Sequence, residues 1–469
     1  MAERHVVIVG GGFTGTALAI HLARLGKAGL SVTIVEPRPQ LARGVAYATQ
    51  DPAHRVNVPA DRMQLSAAHR GDFDRWYRAS AAFRDDAAAR WPDGKVYPQR
   101  EQFGRYVAEQ FSWLQQHSAV KLRHVCDRAI TLEQGTILTA RGSRLPADEV
   151  VLAISHPPPT LPRALVQTLQ GHAGLIADPW RPAALASIGR DERVAIMGSG
   201  LTMCDVVATL HRNGHRARIT AFSRRGLLPR PNLSGQFAAL ALDYQQPQQA
   251  TALGWLRRTR REVAHAAAHQ LPWQLVLDDI RLNAQHIWQQ LSLHEQGRFL
   301  RHLRPWWDVH RYRSAPQVNA VLERLTRSGQ FRLQAARLFK AQAAGAQIDL
   351  VLQSRNGAEQ ALRVDRLVVT TGPAHGELLQ SDALLHQLQT SGVAQADPLG
   401  LGILVNARSQ TVNRHGDANP HLYVAGPAAR GRFGELMGLP QVAEHAESVA
   451  RQLLELETAQ LVPRCRCTA

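Results

Sequence analysis

Apolar residues recur along the chain in two alternating rhythms. Residues 5–9 form a short, β-branched apolar run that stops at a glycine cluster, and residues 16–25 then carry apolar side chains at helical spacing. A second short run, 32–35, ends on Glu36. The same rhythm returns later, where 194–197 reaches another glycine pair, 202–213 has helical spacing, and 217–222 is the next apolar run. Strand, turn, helix and strand, met twice, predict an α/β fold with two Rossmann-like units.

Between and after these repeats the texture changes. Residues 43–66 are irregular and polar, with Pro52 and Pro59, and read as an extended segment covering a ligand. Helices are expected over 72–89 and 101–116. Short strands over 122–125, 129–132 and 150–154 read as a β-meander and a return strand, before Pro157 to Pro159 break the chain. Residues 235–310 are rich in Arg, His, Gln and Trp and read as a largely helical insertion, suited to roofing an active site. A strand over 367–371 ends at Gly372-Pro373, another over 422–425 ends at Gly426, and a helix over 442–456 closes the chain. The expected organisation is a first domain over 1–160, a second over 190–375 with its insertion at 235–315, and a return to the first over 376–469.

The first glycine cluster, Gly10-Gly11-Gly12-Phe13-Thr14-Gly15, has GxGxxG spacing directly after a strand and before a helix. Glycine there permits the tight turn, lets backbone approach a pyrophosphate, and allows close helix–strand packing, while the helix N-terminus presents its positive end to phosphate. Glu36 ends the second strand, where a carboxylate accepts hydrogen bonds from ribose hydroxyls and disfavours a 2′-phosphate. FAD or NAD fits this unit, and FAD is the expected cofactor; the alternative for Glu36 is a solvated strand end.

The second cluster, Gly198-Ser199-Gly200-Leu201-Thr202-Met203, keeps two glycines but has Met203 where a small residue is usual. Its second strand ends on Ser223-Arg224-Arg225, a hydroxyl and two guanidiniums suited to a 2′-phosphate, so NADPH is expected over NADH. The alternative is a unit that keeps the fold and binds no nicotinamide. A flavin beside a nicotinamide implies hydride transfer to the flavin and onward to an acceptor.

Trp306-Trp307-Asp308-Val309-His310-Arg311-Tyr312-Arg313 closes the insertion with an unusual density of aromatic and charged groups. One reading has Arg311 and Arg313 clamping a carboxylate or phosphate while His310 shuttles a proton. The other is a structural Asp308–Arg ion pair beneath packed tryptophans.

Composition narrows the classes. With 45% hydrophobic and 20% charged residues in 469, the chain is long enough for two domains and too apolar to be disordered. The formal charge of +17 suits polyanions, but basic residues are spread along the chain and match no nucleic-acid motif, so a phosphate-rich cofactor groove is the simpler account. No metal site is expected. The four cysteines, Cys126, Cys204, Cys465 and Cys467, lack CxxC spacing, which argues against a disulfide reductase of the thioredoxin-reductase type. No apolar stretch is long enough to span a bilayer and no cleavable signal is recognised, which points to the cytoplasm without membrane insertion.

Together, VVIVGGGFTGTALAIHLAR, GVAYATQDPAHRVNVPADRM, PQREQFGRYV, GSGLTMCDVV with SRRGLLPR, WDVHRYR and YVAGPAARGRFGELMGLPQVAEHA resemble a bacterial family of FAD/NAD(P)-binding proteins, over nearly the whole chain. More distantly the chain is similar to class B flavin monooxygenases and N-hydroxylating monooxygenases, which use two Rossmann-like units with FAD and NADPH. The resemblance implies that Gly44, Tyr47, Asn57 and Val58 lie along the FAD, that Arg100 approaches its phosphate or ribose, with Phe103, Gly104 and Tyr106 on the same helix start, and that Gly426 and Pro427 sit near the isoalloxazine under a loop over 431–440. The monooxygenase fingerprint FxGxxxHxxxY is absent; the nearest stretch, 73–77, lacks its glycine and histidine. The expected function is an FAD-dependent, NADPH-using oxidoreductase of monooxygenase type acting on a small molecule. The alternative is a flavin- or nucleotide-binding protein without turnover, engaging an anionic partner through its basic surface.

Overall fold

The computed structural model describes residues 3–455 other than 155, 158, 182, 236 and 245–248. The expected closing cysteine pair, Cys465 and Cys467, and the last residue of the expected closing helix lie outside the described residues.

Two parallel sheets organise the chain. The first runs, in spatial order, Gln410–Val412, Ala418–Val424, Glu149–Leu152, Arg4–Val9, Leu30–Val35 and Lys121–Val125. Arg4–Val9 pairs in parallel with Leu30–Val35 on one side and Glu149–Leu152 on the other. The order therefore reverses at the first strand, and a crevice opens beyond its C-terminal end, where the Gly10 turn lies. The central strands read as nearly unbroken apolar runs because helices cover both faces: Val6, Val7 and Ile8 are almost wholly buried. The helix Phe13–Leu25 packs against the closing helix Gln441–Leu453, so the C-terminal stretch rejoins the first unit.

The second sheet repeats the plan. Val194–Met197 is flanked in parallel by Ile219–Ser223 and Arg366–Val369, which makes it the second reversal point. Beyond Ile219–Ser223 the sheet continues through Phe331–Ala344 into a long antiparallel meander, Gln347–Ser354 and Glu359–Val364. Sequence patterning did not predict this meander. Its outer positions are Ala, Gln, Arg and Lys, weak strand formers whose register is set only by pairing and by the inward Ile348, Leu350 and Leu352.

Other expectations shift. The helix expected over 72–89 breaks at Ser80, whose hydroxyl caps the next helix by accepting from the Phe83 amide, leaving helices Asp72–Ala79 and Ala81–Asp85 and a 3-10 turn, Ala87–Ala89. Lys121–Val125 is the edge strand of the first sheet rather than part of a meander. The meander is Ala129–Glu133, Thr136–Thr139 and Arg144–Pro146. Among the described residues of the insertion, the helices are Ala252–Ala268, Trp273–Leu282, Ala284–Gln290, Leu293–His302 and Arg304–Arg311. It has its own core of Trp255, Val276, Ile280 and Ile287. Among the described residues, no helix is long and apolar enough to cross a membrane.

Candidate functional site

The first glycine turn is forced by backbone. Gly10 has φ +105°, and a Cβ there would run into the Ala153 carbonyl. A Cβ on Gly15 would clash with the Gly10 carbonyl oxygen, so this third glycine is what seats the helix on the strand. Gly12, the residue before the helix, is different: a Cβ would meet only Gly44, 3.5 Å away, leaving its outer side open for a ligand. Gly44, with φ +52°, thus lies over the turn.

Glu36 is 3% exposed at the end of the second strand. Its Oε2 accepts from the Gly11 amide at 2.9 Å, and its Oε1 accepts from Arg38 Nε at 2.7 Å. Burial pushes this carboxyl up, but Arg38 and the Gly11 amide outweigh it and hold the group below its ordinary range. The Phe13 ring stands edge-on to Tyr47, with centroids 6.1 Å apart, and both pack on Phe103. A Cβ on Gly426 would lie 2.7 Å from Thr14 Cγ2, so Gly426 meets the same helix start, and Pro427 opens the next turn. Most of the residues expected around a flavin nucleotide therefore converge on one turn.

Arg100 and Asn57 are drawn elsewhere, which corrects the expectation for them. Arg100 donates to both carboxylate oxygens of Asp205, at 2.8 and 2.9 Å, and to the Arg55 carbonyl at 2.8 Å. Asp205 sits on Leu201–Arg212, the first helix of the second unit, so this pair is a buried clamp between the units. Asn57 joins the seam: its carbonyl accepts from Asn232 Nδ2 at 2.7 Å, and its side chain receives Arg100 Nη2 at 3.4 Å. His54 Nε2 lies 2.9 Å from Thr209 Oγ1 across the same boundary. Val58 packs half-buried against the main core. Phe103 and Tyr106 are core residues, and Gly104 leaves room for Tyr47, whose Cβ would lie 3.1 Å from a Cβ there. A motif in sequence cannot show which way an arginine turns when two units compete for it.

In the second unit Gly198, φ +121°, is pressed against Thr370, whose Oγ1 would lie 2.5 Å from a Cβ. Gly200, before the helix, has open space where its Cβ would be. Met203 is fully buried, filling the position where the first unit has Gly15. Ser199 Oγ is 2.8 Å from Ser223 Oγ and 2.7 Å from the Leu227 carbonyl oxygen, holding the strand end in place. Arg224 and Arg225 are exposed, and among the described residues neither side chain has a hydrogen bond or ion pair. Free guanidiniums beside a serine and an open helix N-terminus can receive a phosphate monoester and a diphosphate.

A cavity of about 1400 Å³ opens from this turn. Gly198, Gly200, Leu201, Thr202, Ser223 and Arg224 line one end, with Gly372, φ +85°, beside them. The roof is the insertion, through Trp255, Trp273, Trp288, Trp306 and Trp307. The far wall is the chain after Gly426, through Arg430, Gly434, Glu435 and Met437. The roof is tied to that wall: Trp288 Nε1 donates to the Gly431 carbonyl at 2.8 Å, and Arg281 donates to the Leu439 carbonyl and to Gln441 Oε1. The loop expected over 431–440 is in part a helical turn, Arg430–Phe433.

The aromatic-basic run at the end of the insertion divides. His310 lines the cavity, its Nδ1 2.7 Å from the Trp306 carbonyl and its ring edge-on to Trp273. Arg311 is spent on Glu435, and Arg313 on Asp278 at 2.9 Å and the His310 carbonyl at 2.9 Å. The two arginines clamp carboxylates of the protein itself, which corrects their expected role as a ligand clamp. Asp308 pairs with Arg304 at 3.4 Å, the structural ion pair held as the alternative.

Sequence reading missed three groups. Arg430 is 5% exposed on the cavity wall. Burial and the nearby Arg304 push its guanidinium down to about 10. His156 and His375 stand edge to face, 5.1 Å apart, and burial with the neighbouring Arg430 pushes them down to about 4 and about 3, so both are neutral imidazoles at pH 7. Nothing in their spacing along the chain signals this meeting. Among the described residues, no cluster of His, Cys, Asp or Glu could hold a metal ion.

Known proteins agree with this architecture. Residues 7–157 match the sequence profile of the FAD-NAD(P)-binding family. No curated protein sequence matches the chain. The cadaverine monooxygenase DfoA of Erwinia amylovora, solved with FAD, is 12% identical with a TM-score of 0.67, over 99% of this chain and 97% of that one. The L-lysine 6-monooxygenase of Pseudomonas syringae is 14% identical with a TM-score of 0.63, and the ornithine hydroxylase PvdA of Pseudomonas aeruginosa 15% with 0.60; each comparison covers 97% of this chain and 99% of the other. With the two reversal points and two glycine turns, these likenesses establish a two-unit FAD/NAD(P)-binding fold running the length of the chain.

Proposed function

We propose that the protein is an FAD-dependent oxidoreductase of monooxygenase type, using NADPH and acting on a small molecule. The observation that carries this reading is the shape of the cavity. Its lining joins the second glycine turn, with Arg224 unpaired among the described residues, to the wall that follows Gly426, which itself rests on Thr14 at the first turn.

The residues present suit both nucleotides. Gly12 leaves open the approach to the start of Phe13–Leu25, and Gly200 leaves open the approach to the start of Leu201–Arg212. Each of those helix starts can hold a diphosphate. Glu36 supplies a carboxylate for ribose hydroxyls once Arg38, 39% exposed, swings aside. Arg224, Arg225 and Ser223 select a 2′-phosphate. A bound flavin accepts hydride from a nicotinamide and passes electrons to oxygen or another acceptor. The roof tryptophans give the chamber an apolar lining, and His310 is positioned on its wall to hold or move a proton. The fold is also that of the three amine and amino-acid monooxygenases compared above, which supports oxygen as the acceptor.

The test is to mix the flavin-loaded protein with NADPH, and separately NADH, without oxygen, follow absorbance at roughly 450 nm, then readmit air and quantify hydrogen peroxide. Rapid bleaching by NADPH and slower bleaching by NADH are expected. A flavin that stays oxidised with both nucleotides would sink the reading in favour of a binding protein without turnover.

A further inference from the structure

We propose that Arg430 anchors a carboxylate of the substrate, so that the cavity takes an amphipathic molecule with an anionic end and a bulky aromatic or apolar body. This rests on the reading of the chamber as the place where a small molecule is oxidised.

Arg430 stands apart from the other buried arginines. Arg100 is matched by Asp205, Arg55 by Asp86, Arg311 by Glu435 and Arg313 by Asp278. Arg430 is as buried as these, at 5% exposed, yet among the described residues its side chain makes no hydrogen bond or ion pair, and its Nε is enclosed without a partner. The nearby acids are already engaged, Asp308 by Arg304, Glu435 by Arg311, and Asp397 by the Leu399 and Leu401 amides. A guanidinium keeps its charge and presents up to five donors in a planar fork, so enclosing one unpaired is costly unless something else completes it. Because Arg430 lines the cavity, the missing partner comes from the cavity. A planar carboxylate matches the fork with two parallel hydrogen bonds.

The surroundings choose between ligands. The neutral His156 and His375 beside Arg430 bring no negative charge to compete with an anion. Of the charged neighbours acting on Arg430, Arg304 weighs more than Asp308 or Glu435, which disfavours an ammonium group beside it. NADPH has its own candidate phosphate partners in the same cavity, in the Gly200 turn, Ser223 and Arg224. The lining also includes indole and phenyl surface, Trp255, Trp273, Trp288, Trp307 and Phe299, which rewards an apolar body.

The experiment compares three probes with one apolar body, 4-phenylbutanoate, 4-phenylbutanamide and 4-phenylbutylamine, by calorimetry on the FAD-loaded protein. The carboxylate is expected to bind about tenfold tighter than the other two, with and without saturating NADP⁺. Arg430→Met, checked for flavin content and circular dichroism, is expected to reduce that preference to about twofold or less, and Arg430→Lys to retain part of it. Equal binding of the three probes to the native protein, or a preference that survives Arg430→Met, overturns the proposal without recourse to any folding argument. Loss of the preference under saturating NADP⁺ also overturns it, by assigning Arg430 to the nucleotide. Flavin reduction is read separately: a carboxylate preference in a protein whose flavin NADPH does not bleach upholds the anchor and defeats only the oxidoreductase reading.

Discussion

The two glycine turns share one plan, strand, turn and helix at a reversal point of a parallel sheet, and differ in two places. In the first, Gly15 lets the helix sit directly on the Gly10 carbonyl, and the second strand ends on buried Glu36. In the second, a fully buried Met203 fills the matching position, and the strand ends on Ser223 with exposed Arg224 and Arg225. The helix of the second unit therefore tolerates a large side chain where the first cannot take a methyl group. What both units keep is the open glycine before the helix, Gly12 and Gly200. The difference separates two jobs of such a motif: the third glycine serves packing, while the middle one serves the ligand.

That comparison can be broken most severely at the seam that sets one turn against the other. Arg100→Met should destabilise the protein by about 3–5 kcal/mol, because Asp205 would be left buried without a counter-ion. Urea unfolding measures it, and a loss below about 1 kcal/mol would show that the units are held by other contacts. At the middle glycines, Gly12→Val and Gly200→Val should leave the unliganded fold nearly unchanged but act on different nucleotides. The first should abolish flavin retention on purification, and the second should raise KM for NADPH by about tenfold or more while the protein stays yellow. Identical effects would remove the distinction between the units.

Charge at the strand ends gives smaller effects. Replacing Arg224 and Arg225 together by Ala should raise KM for NADPH by about tenfold and for NADH by about twofold or less, measured as flavin reduction rates. Equal changes would defeat the 2′-phosphate reading. Glu36→Gln tests the other end by pH. The folded-state carboxyl lies below its ordinary 4.5, so its contribution to stability is present above that value and is lost as pH falls through the lower folded value. The Gln variant should thus lose less stability than the native protein between pH of about 5 and 3, and parallel acid unfolding curves would show that Glu36 gains nothing from Arg38 and Gly11.

Legibility in the sequence followed the range of the interaction. Both glycine turns, their strands and their helices were legible because each is a local device within some 30 residues, with apolar periodicity and glycine spacing reinforcing each other. The meander from Phe331 to Val364 was not, because its outer faces are alanine and polar side chains and its strands exist through pairing. The helix break at Ser80 turned on one capping hydroxyl inside a stretch whose composition is otherwise helical. In the site, Gly12, Gly44, Thr14, Glu36 and Gly426 gather at the first glycine turn, whereas Arg100, Arg311 and Arg313 are each taken by a carboxylate remote in sequence.

The sequence by itself determined that there are two dinucleotide-type units, which of them ends on an acid and which on arginines, and that a tryptophan-rich helical segment separates the later strands. These are properties of short windows, where chain geometry and glycine spacing leave few choices. Only the tertiary structure decided which buried charges are paired. Arg100, Arg311 and Arg313 look in sequence as available as Arg430, but distant Asp205, Glu435 and Asp278 neutralise the first three, while Arg430 lines the cavity with no partner among the described residues. Charge pairing is a contact between residues far apart along the chain, and no local pattern records it.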